Sequence, residues 1–93
     1  MPAIKTILID DEPLAINRLR RLLDKYRGEI EVVAEAINGE QGLQLVEQIQ
    51  PDLIFLDIEM PVLNGFEMLA KLKHLPKVIF TTAFEEYAIK AFE

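Results

Sequence analysis

Short apolar runs alternate with stretches of helical periodicity along the whole chain, and this alternation constrains the fold more than any other feature. The predicted strands are 4–9, 30–36, 53–56 and 78–80. Between them, apolar residues recur at three- and four-residue spacing, which is typical of helices with one buried face. Strands that alternate with helices form a parallel sheet through right-handed crossovers. The sequence therefore predicts an open α/β fold of order β-α-β-α-β-α-β-α, with helices on both faces of the sheet.

Proline and glycine set the predicted helix boundaries. The first helix is expected to begin at Pro13 and to end at Gly28, and the second to end at Pro51. A third helix precedes Pro76, and a fourth helical pattern spans 83–93. The apolar faces of the first three helices are predicted to be, in turn, Ala15, Leu19, Leu22, Leu23 and Tyr26; Leu43, Val46 and Ile49; and Phe66, Leu69 and Leu72.

Composition excludes several classes of protein. Ninety-three residues, 51% of them hydrophobic, suit one packed domain. Without cysteine the chain has no disulfide framework, and no apolar run reaches the ~20 residues that a membrane helix needs. A net charge of −6 argues against direct nucleic-acid binding. One basic cluster is interpreted as the solvated face of the first helix: Arg18, Arg20, Arg21 and Lys25. Because the sequence has neither cysteine nor a membrane-spanning run, we expect a cytoplasmic protein.

Polar residues follow three of the predicted strands at the point where each strand ends. Asp10 and Asp11 end the first strand, Asp57 ends the third, and Thr81 and Thr82 end the fourth. The carboxyl ends of parallel strands share one edge of an open sheet, where ligands bind beside the topological switch point. We therefore expect the three carboxylates to converge in one cleft.

Three converging carboxylates need either a proton or a cation between them. Oxygen ligands without histidine or cysteine favour Mg²⁺, Ca²⁺ or Mn²⁺ over zinc. Mg²⁺ commonly combines one or two carboxylates with phosphate oxygens, and a carboxylate can itself be the nucleophile that forms an aspartyl phosphate. The residues thus point to a site that handles phosphate.

Several of these residues also have purely structural interpretations. Pro61 stiffens the loop after the third strand, while Gly65 is either a close-approach position or an ordinary loop-to-helix turn. Thr81 and Thr82 are each compatible with simple capping, and strand alternation places only one of them toward the cleft. The single histidine, His74, is assigned to the surface near a helix end rather than to phosphotransfer. The helix dipole favours acidic residues near a helix N-terminus. This effect accounts well for Glu12 but poorly for the adjacent Asp10 and Asp11.

Taken together, the segments ILIDDE, LIFLDIEMPVLNG and VIFTTA resemble those of response-regulator receiver domains, a flavodoxin-like fold. The resemblance implies that Asp57 is phosphorylated by a sensor histidine kinase and that the cofactor is Mg²⁺ or Mn²⁺. It further implies Asp11 as a direct metal ligand, Asp10 as a second or water-mediated ligand, and the Glu59 backbone carbonyl as another. Thr82 matches the switch hydroxyl of the family, and FEEYAIKAFE resembles receivers with a LytTR-type DNA-binding output domain.

Receivers also carry a fifth strand with a lysine, followed by a fifth helix, and neither is found before Glu93. Lys90 and Tyr87 do not match the family's lysine and aromatic positions. We therefore expect residues 1–93 to be an incomplete receiver, open to self-association through the sheet edge and the fourth helix. An alternative is an interaction module that is not phosphorylated. An enzyme with an aspartyl nucleophile is disfavoured, because Glu59 stands where such enzymes usually have aspartate and no cap domain is present.

Overall fold

The computed structural model describes residues 2–81, and strands alternate with helices throughout them. In chain order the elements are β1 (Ile4–Ile9), α1 (Pro13–Leu23), a 3₁₀ turn (Asp24–Tyr26), β2 (Ile30–Ala36), α2 (Gly39–Ile49), β3 (Leu53–Leu56), α3 (Gly65–Ala70) and β4 (Lys77–Phe80). The predicted bounds of the first three strands are confirmed, and the fourth begins one residue early. Thr82 and the predicted fourth helix lie outside the described residues.

All strand pairs are parallel, and the sheet order is β2-β1-β3-β4. After β1 the chain moves to one side to form β2, and it later returns past β1 to form β3 on the other side. Strand order therefore reverses between β1 and β3, which is where open α/β sheets bind ligands. In the register Ile9 lies opposite Leu56, and Leu56 lies opposite Phe80, so the strands end level with one another.

Helices cover both faces of the sheet, as the alternation predicted. On one face, Ile7, Ile9, Ile54 and Leu56 pack with Val46 of α2 and Met68 of α3. On the other face, Leu8, Leu53 and Phe55 pack with Ile16 of α1. Fully burying one aliphatic side chain contributes about 1.5–3 kcal/mol, so these two clusters supply most of the driving force for folding. Within residues 2–81 no helix is long and apolar enough to cross a bilayer.

The prediction for α1 was wrong in two respects. Leu22 is 58% exposed and Tyr26 is 43% exposed, whereas Ile16 is buried. Ile16, Leu19 and Leu23 are spaced by three and four residues and share one side of the helix, while Leu22 lies about 100° away from Leu23 around the axis. The helix also ends at Leu23 and tightens into a 3₁₀ turn before Gly28, a common way for a helix to finish.

Burial differs between the inner and outer strands of the described sheet. Every residue of β3 is buried, as a strand covered on both faces should be. In contrast, burial alternates along β2 and β4, and Val33 and Ile79 are 36% and 46% exposed. Helices on both faces of the sheet therefore do not bury the two outer strands completely. Each has a neighbouring strand on one side only in the order β2-β1-β3-β4.

Candidate metal centre

Backbone hydrogen bonds extend the sheet by one residue beyond the ends of the strands, and they position the polar residues. The N–H of Asp10 donates to the Ala36 carbonyl over 3.0 Å, and the N–H of Asp57 donates to the Ile9 carbonyl over 3.0 Å. The N–H of Thr81 makes the equivalent 3.0 Å bond to the Leu56 carbonyl. These residues thus sit side by side along the carboxyl edge because the parallel register puts them there.

The structure brings together the carboxyl groups of Asp10, Asp11 and Asp57. One oxygen atom from each lies within 4.8 Å of the others, and all three residues are half-buried. The group straddles β1 and β3, the pair of strands between which the sheet order reverses. Oxygen atoms at this spacing can share one hard divalent cation, whose bonds to oxygen are about 2.0–2.6 Å long.

The electrostatics of this cluster favour a cation or a proton. Burial raises the pKa of Asp57 from 3.8 to about 6, and the charge of Asp10 adds to the effect. Burial also raises the pKa of Asp10, while a hydrogen bond from the Glu12 N–H opposes the rise and the charge of Asp11 adds to it. Carboxylates that repel one another in a partly desolvated cleft are stabilised by positive charge. The donor set is carboxylate oxygen, which suits Mg²⁺ or Mn²⁺.

Short turns orient two of the carboxyl groups. Asp10 Oδ1 accepts a 2.9 Å hydrogen bond from the N–H of Glu12, and Asp57 Oδ1 accepts a 3.3 Å bond from the N–H of Glu59. Each bond closes a turn from an aspartate to the residue two positions ahead, a local pattern that aspartate favours. One oxygen of each group is thereby fixed by the backbone. Because its N–H bonds to Asp57, the backbone of Glu59 lies directly beside the carboxylate cluster.

Gly65 begins α3 at a point where backbone segments almost touch. A Cβ added to Gly65 would lie 2.7 Å from the carbonyl oxygen of Asp57 and 3.0 Å from Cα of Ile58. The Gly65 N–H also donates to the Ile58 carbonyl over 2.9 Å. No side chain fits this space without movement of the backbone that carries Asp57. Of the two interpretations left open for Gly65, the geometry favours close approach.

The other predicted residues lie in different places. Pro61 is exposed in the loop between β3 and α3, and Thr82 is outside the described residues. Thr81 directly follows β4 and contributes to a cavity beside α1, together with Asp10 and Ile16. His74 is exposed in the connection before β4, at the opposite edge of the sheet from the carboxylates, as expected for a surface histidine.

Sequence reasoning missed how the loop after β3 is held in place. Val62 has a positive φ of 70°, and Leu63 lies against the backbone of Gly39 at the start of α2. No sequence signal identifies a β-branched residue in the left-handed region, because such residues avoid it. The Asn38-Gly39 pair before the second helix was a usable sequence signal for a close approach.

The family model for the "Response regulator receiver domain" matches residues 6–93 of this chain. The chain belongs to the response-regulator receiver family. Among curated relatives, the transcriptional regulatory protein BtsR of Escherichia coli is 48% identical over 92 residues, covering 97% of this chain and 38% of BtsR. A response regulatory protein of Vibrio cholerae is 48% identical over 90 residues, covering 94% of this chain and 34% of that protein. The receiver thus spans well under half the length of these relatives.

Solved receiver structures have the same fold. The response regulator domain of Thermotoga maritima CheB has a TM-score of 0.81 at 30% identity, over 98% of this chain and 72% of that one. The response regulatory domain of mrkE from Klebsiella pneumoniae has a TM-score of 0.81 at 33% identity, over 96% of this chain and 75% of that one. The flavodoxin-like receiver fold is therefore confirmed.

Proposed function

We propose that the receiver acts as a signalling switch in which Asp57 accepts a phosphoryl group from a phosphohistidine of a sensor histidine kinase. The single observation that carries this proposal is the cluster of Asp10, Asp11 and Asp57 at the point where the sheet order reverses. A divalent cation, Mg²⁺ or Mn²⁺, would be held by these three carboxyl groups and by the backbone carbonyl of Glu59. When bound, the cation offsets negative charge on the transferring phosphoryl group.

Asp57 has the features of a carboxylate nucleophile. Its pKa of about 6 leaves it mostly ionised near neutral pH, and a raised pKa makes a carboxylate more basic than an ordinary aspartate. In the proposed transfer, a carboxylate oxygen of Asp57 forms a bond to phosphorus while the bond from phosphorus to the histidine nitrogen breaks. The electron pair of the broken bond stays on the imidazole, which leaves the site.

The downstream steps rest on the family resemblance. Thr82 would donate its hydroxyl to a phosphoryl oxygen and change position when Asp57 is modified. The output would be a LytTR-type DNA-binding domain, which the resemblance of FEEYAIKAFE and the transcriptional regulators among the relatives both support. With a net charge of −6, the receiver itself would act on transcription through its partners rather than by contacting DNA.

The test is phosphorylation of the purified protein with acetyl phosphate and Mg²⁺. Wild-type protein is expected to gain the mass of one phosphoryl group, to lose it under conditions that hydrolyse acyl phosphates, and to require the metal. Asp57→Asn is expected to gain nothing, while the matched control Asp52→Asn, at an exposed position at the other edge of the sheet, behaves like wild type. Labelling that persists in Asp57→Asn would remove Asp57 from this role. Wild-type protein that stays unmodified would favour an interaction module instead.

A further inference from the structure

The loop between β3 and α3 runs directly over the start of α2. Gly39 is the first residue of α2 and is buried. A Cβ added to Gly39 would overlap the carbonyl oxygen of Leu63, and it would lie 2.9 Å from Leu63 Cβ and 3.2 Å from the Leu63 carbonyl carbon. The atoms in the way belong mostly to backbone, which cannot rotate aside as a flexible side chain can. Leu63 can therefore take this position only if residue 39 is glycine.

Two backbone hydrogen bonds of ordinary length stiffen this loop. The N–H of Leu63 donates to the Pro61 carbonyl over 2.8 Å, and the N–H of Gly65 donates to the Ile58 carbonyl over 2.9 Å. Between Pro61 and Leu63, Val62 has a φ of 70°, which identifies the rarer, strained form of γ-turn. A stiff loop moves as one piece, so a displacement at Leu63 is carried back toward Ile58.

Val62 does not itself hold the loop in this conformation. Its side chain is 92% exposed and gains nothing by burial, while a β-branched residue in the left-handed region is strained. Contacts elsewhere must therefore hold the turn. Met60 is buried, and Leu63 is partly buried against the same core cluster, so their side chains supply the apolar anchor. The contact with Gly39 sets how closely the backbone of that anchor approaches α2.

We propose that Gly39 is a positioning residue for the metal site: by admitting Leu63 against α2, it holds the loop so that the backbone of Glu59 stays beside Asp57. Leu63 and the metal site are close along the chain. Glu59 lies four residues before Leu63, and its N–H donates a 3.3 Å hydrogen bond to Asp57 Oδ1. This inference rests on the proposed function, since it uses the Glu59 carbonyl as a metal ligand. A purely structural role for Gly39 would alter stability but leave metal affinity unchanged.

The experiment compares Gly39→Ala with Gly28→Ala, a matched control because a Cβ on Gly28 meets nothing within 4 Å. Mn²⁺ affinity is measured by electron paramagnetic resonance of the free ion, and each value is corrected for the folded fraction determined without metal. Gly39→Ala is expected to bind Mn²⁺ about tenfold more weakly, the lower end of the range for residues that support metal ligands. Gly28→Ala is expected to bind like wild type. In backbone NMR spectra, the Glu59 amide should shift in Gly39→Ala and stay in place in Gly28→Ala.

The possible results distinguish the proposed metal site from the role of Gly39. Wild-type protein that does not bind Mn²⁺ overturns the proposed metal site, and the role of Gly39 with it. Tight binding by wild type together with equally tight binding by folded Gly39→Ala overturns the role of Gly39 alone. If Gly39→Ala does not fold, Leu63→Ala decides the question, because it removes the anchor without adding an atom. Weakened Mn²⁺ binding by folded Leu63→Ala supports the inference, and unchanged binding refutes it.

Discussion

Replacing Asp57 by asparagine should make the metal-free protein more stable near neutral pH. Asparagine keeps the size of the side chain and an oxygen that can accept the hydrogen bond from the Glu59 N–H, but it removes the charge. A rise in pKa from 3.8 to about 6 corresponds to about 3 kcal/mol against the ionised form. Asp57 is only half-buried, so screening by solvent reduces this value, and we expect Asp57→Asn to gain about 1–2 kcal/mol.

The sign of the pH dependence follows from the same pKa. Because the pKa of Asp57 is higher in the folded than in the unfolded protein, wild type gains stability as pH falls. That contribution is complete below about pH 4 and is lost as pH rises through about 6. Asp57→Asn lacks this titration, so the difference between the two proteins should be largest near neutral pH and should shrink toward about pH 4.

The assay is urea denaturation of both proteins in a chelator, at several pH values between these limits. Adding Mg²⁺ near neutral pH should then stabilise wild type more than Asp57→Asn, since a ligand stabilises the state that binds it. Asp52→Asn is again the control, because Asp52 is exposed and distant from the cluster. An Asp57→Asn protein that is no more stable than wild type near neutral pH would contradict the idea that the Asp57 charge destabilises the metal-free fold. A stability difference that does not change with pH would refute it as well.

Three further substitutions test the backbone around the site. Val62→Gly should raise the free energy of unfolding by up to about 1 kcal/mol. Glycine adopts a positive φ without strain, although it costs some entropy in the unfolded chain. A loss of stability in urea would contradict strain at Val62. Gly65→Ala should lower the free energy of unfolding by about 1–3 kcal/mol and weaken Mn²⁺ binding, since its Cβ would press on the Asp57 carbonyl. Wild-type stability together with wild-type Mn²⁺ affinity would show that the loop adapts freely. Asn64→Ala removes the capping box with Glu67 and should cost about 1 kcal/mol in thermal unfolding. The control Asn17→Ala, at an exposed position inside α1, should instead gain up to about 0.7 kcal/mol because alanine favours helices. Equal loss in both would exclude a capping effect.

The fold could be predicted almost completely because each element carries a local signal of its own. β3 is a four-residue apolar run preceded by Pro51-Asp52 and followed by Asp57, and its bounds were predicted to the residue. Details that depend on neighbours could not be predicted. Burial of Ile16 in place of Leu22 reflects which side of α1 meets the sheet. Periodicity identifies a helix, but several apolar residues on adjacent sides leave the buried side undecided.

The site was predictable to the extent that strand ends determine it. Parallel pairing alone brings the end of β1 beside the end of β3, so the meeting of Asp10, Asp11 and Asp57 follows from the order of the strands. The loop after β3 was not predictable in the same way. Its conformation depends on contacts between segments that are distant in the sequence, as in the approach of Leu63 to Gly39.

Charge and backbone therefore make opposite contributions at this site, and stability measurements can separate them. The carboxylates repel one another, so neutralising Asp57 should stabilise the protein while it removes the proposed phosphorylation site. Gly39 and Gly65 carry no charge, and neighbouring backbone atoms leave no room for a Cβ at either position. Enlarging either residue should therefore lower stability and metal affinity together. If every substitution near the cleft merely destabilised the protein, packing alone would explain the site. An inverse relation between stability and metal affinity at Asp57, beside a direct relation at the two glycines, is what a site built to hold a cation requires.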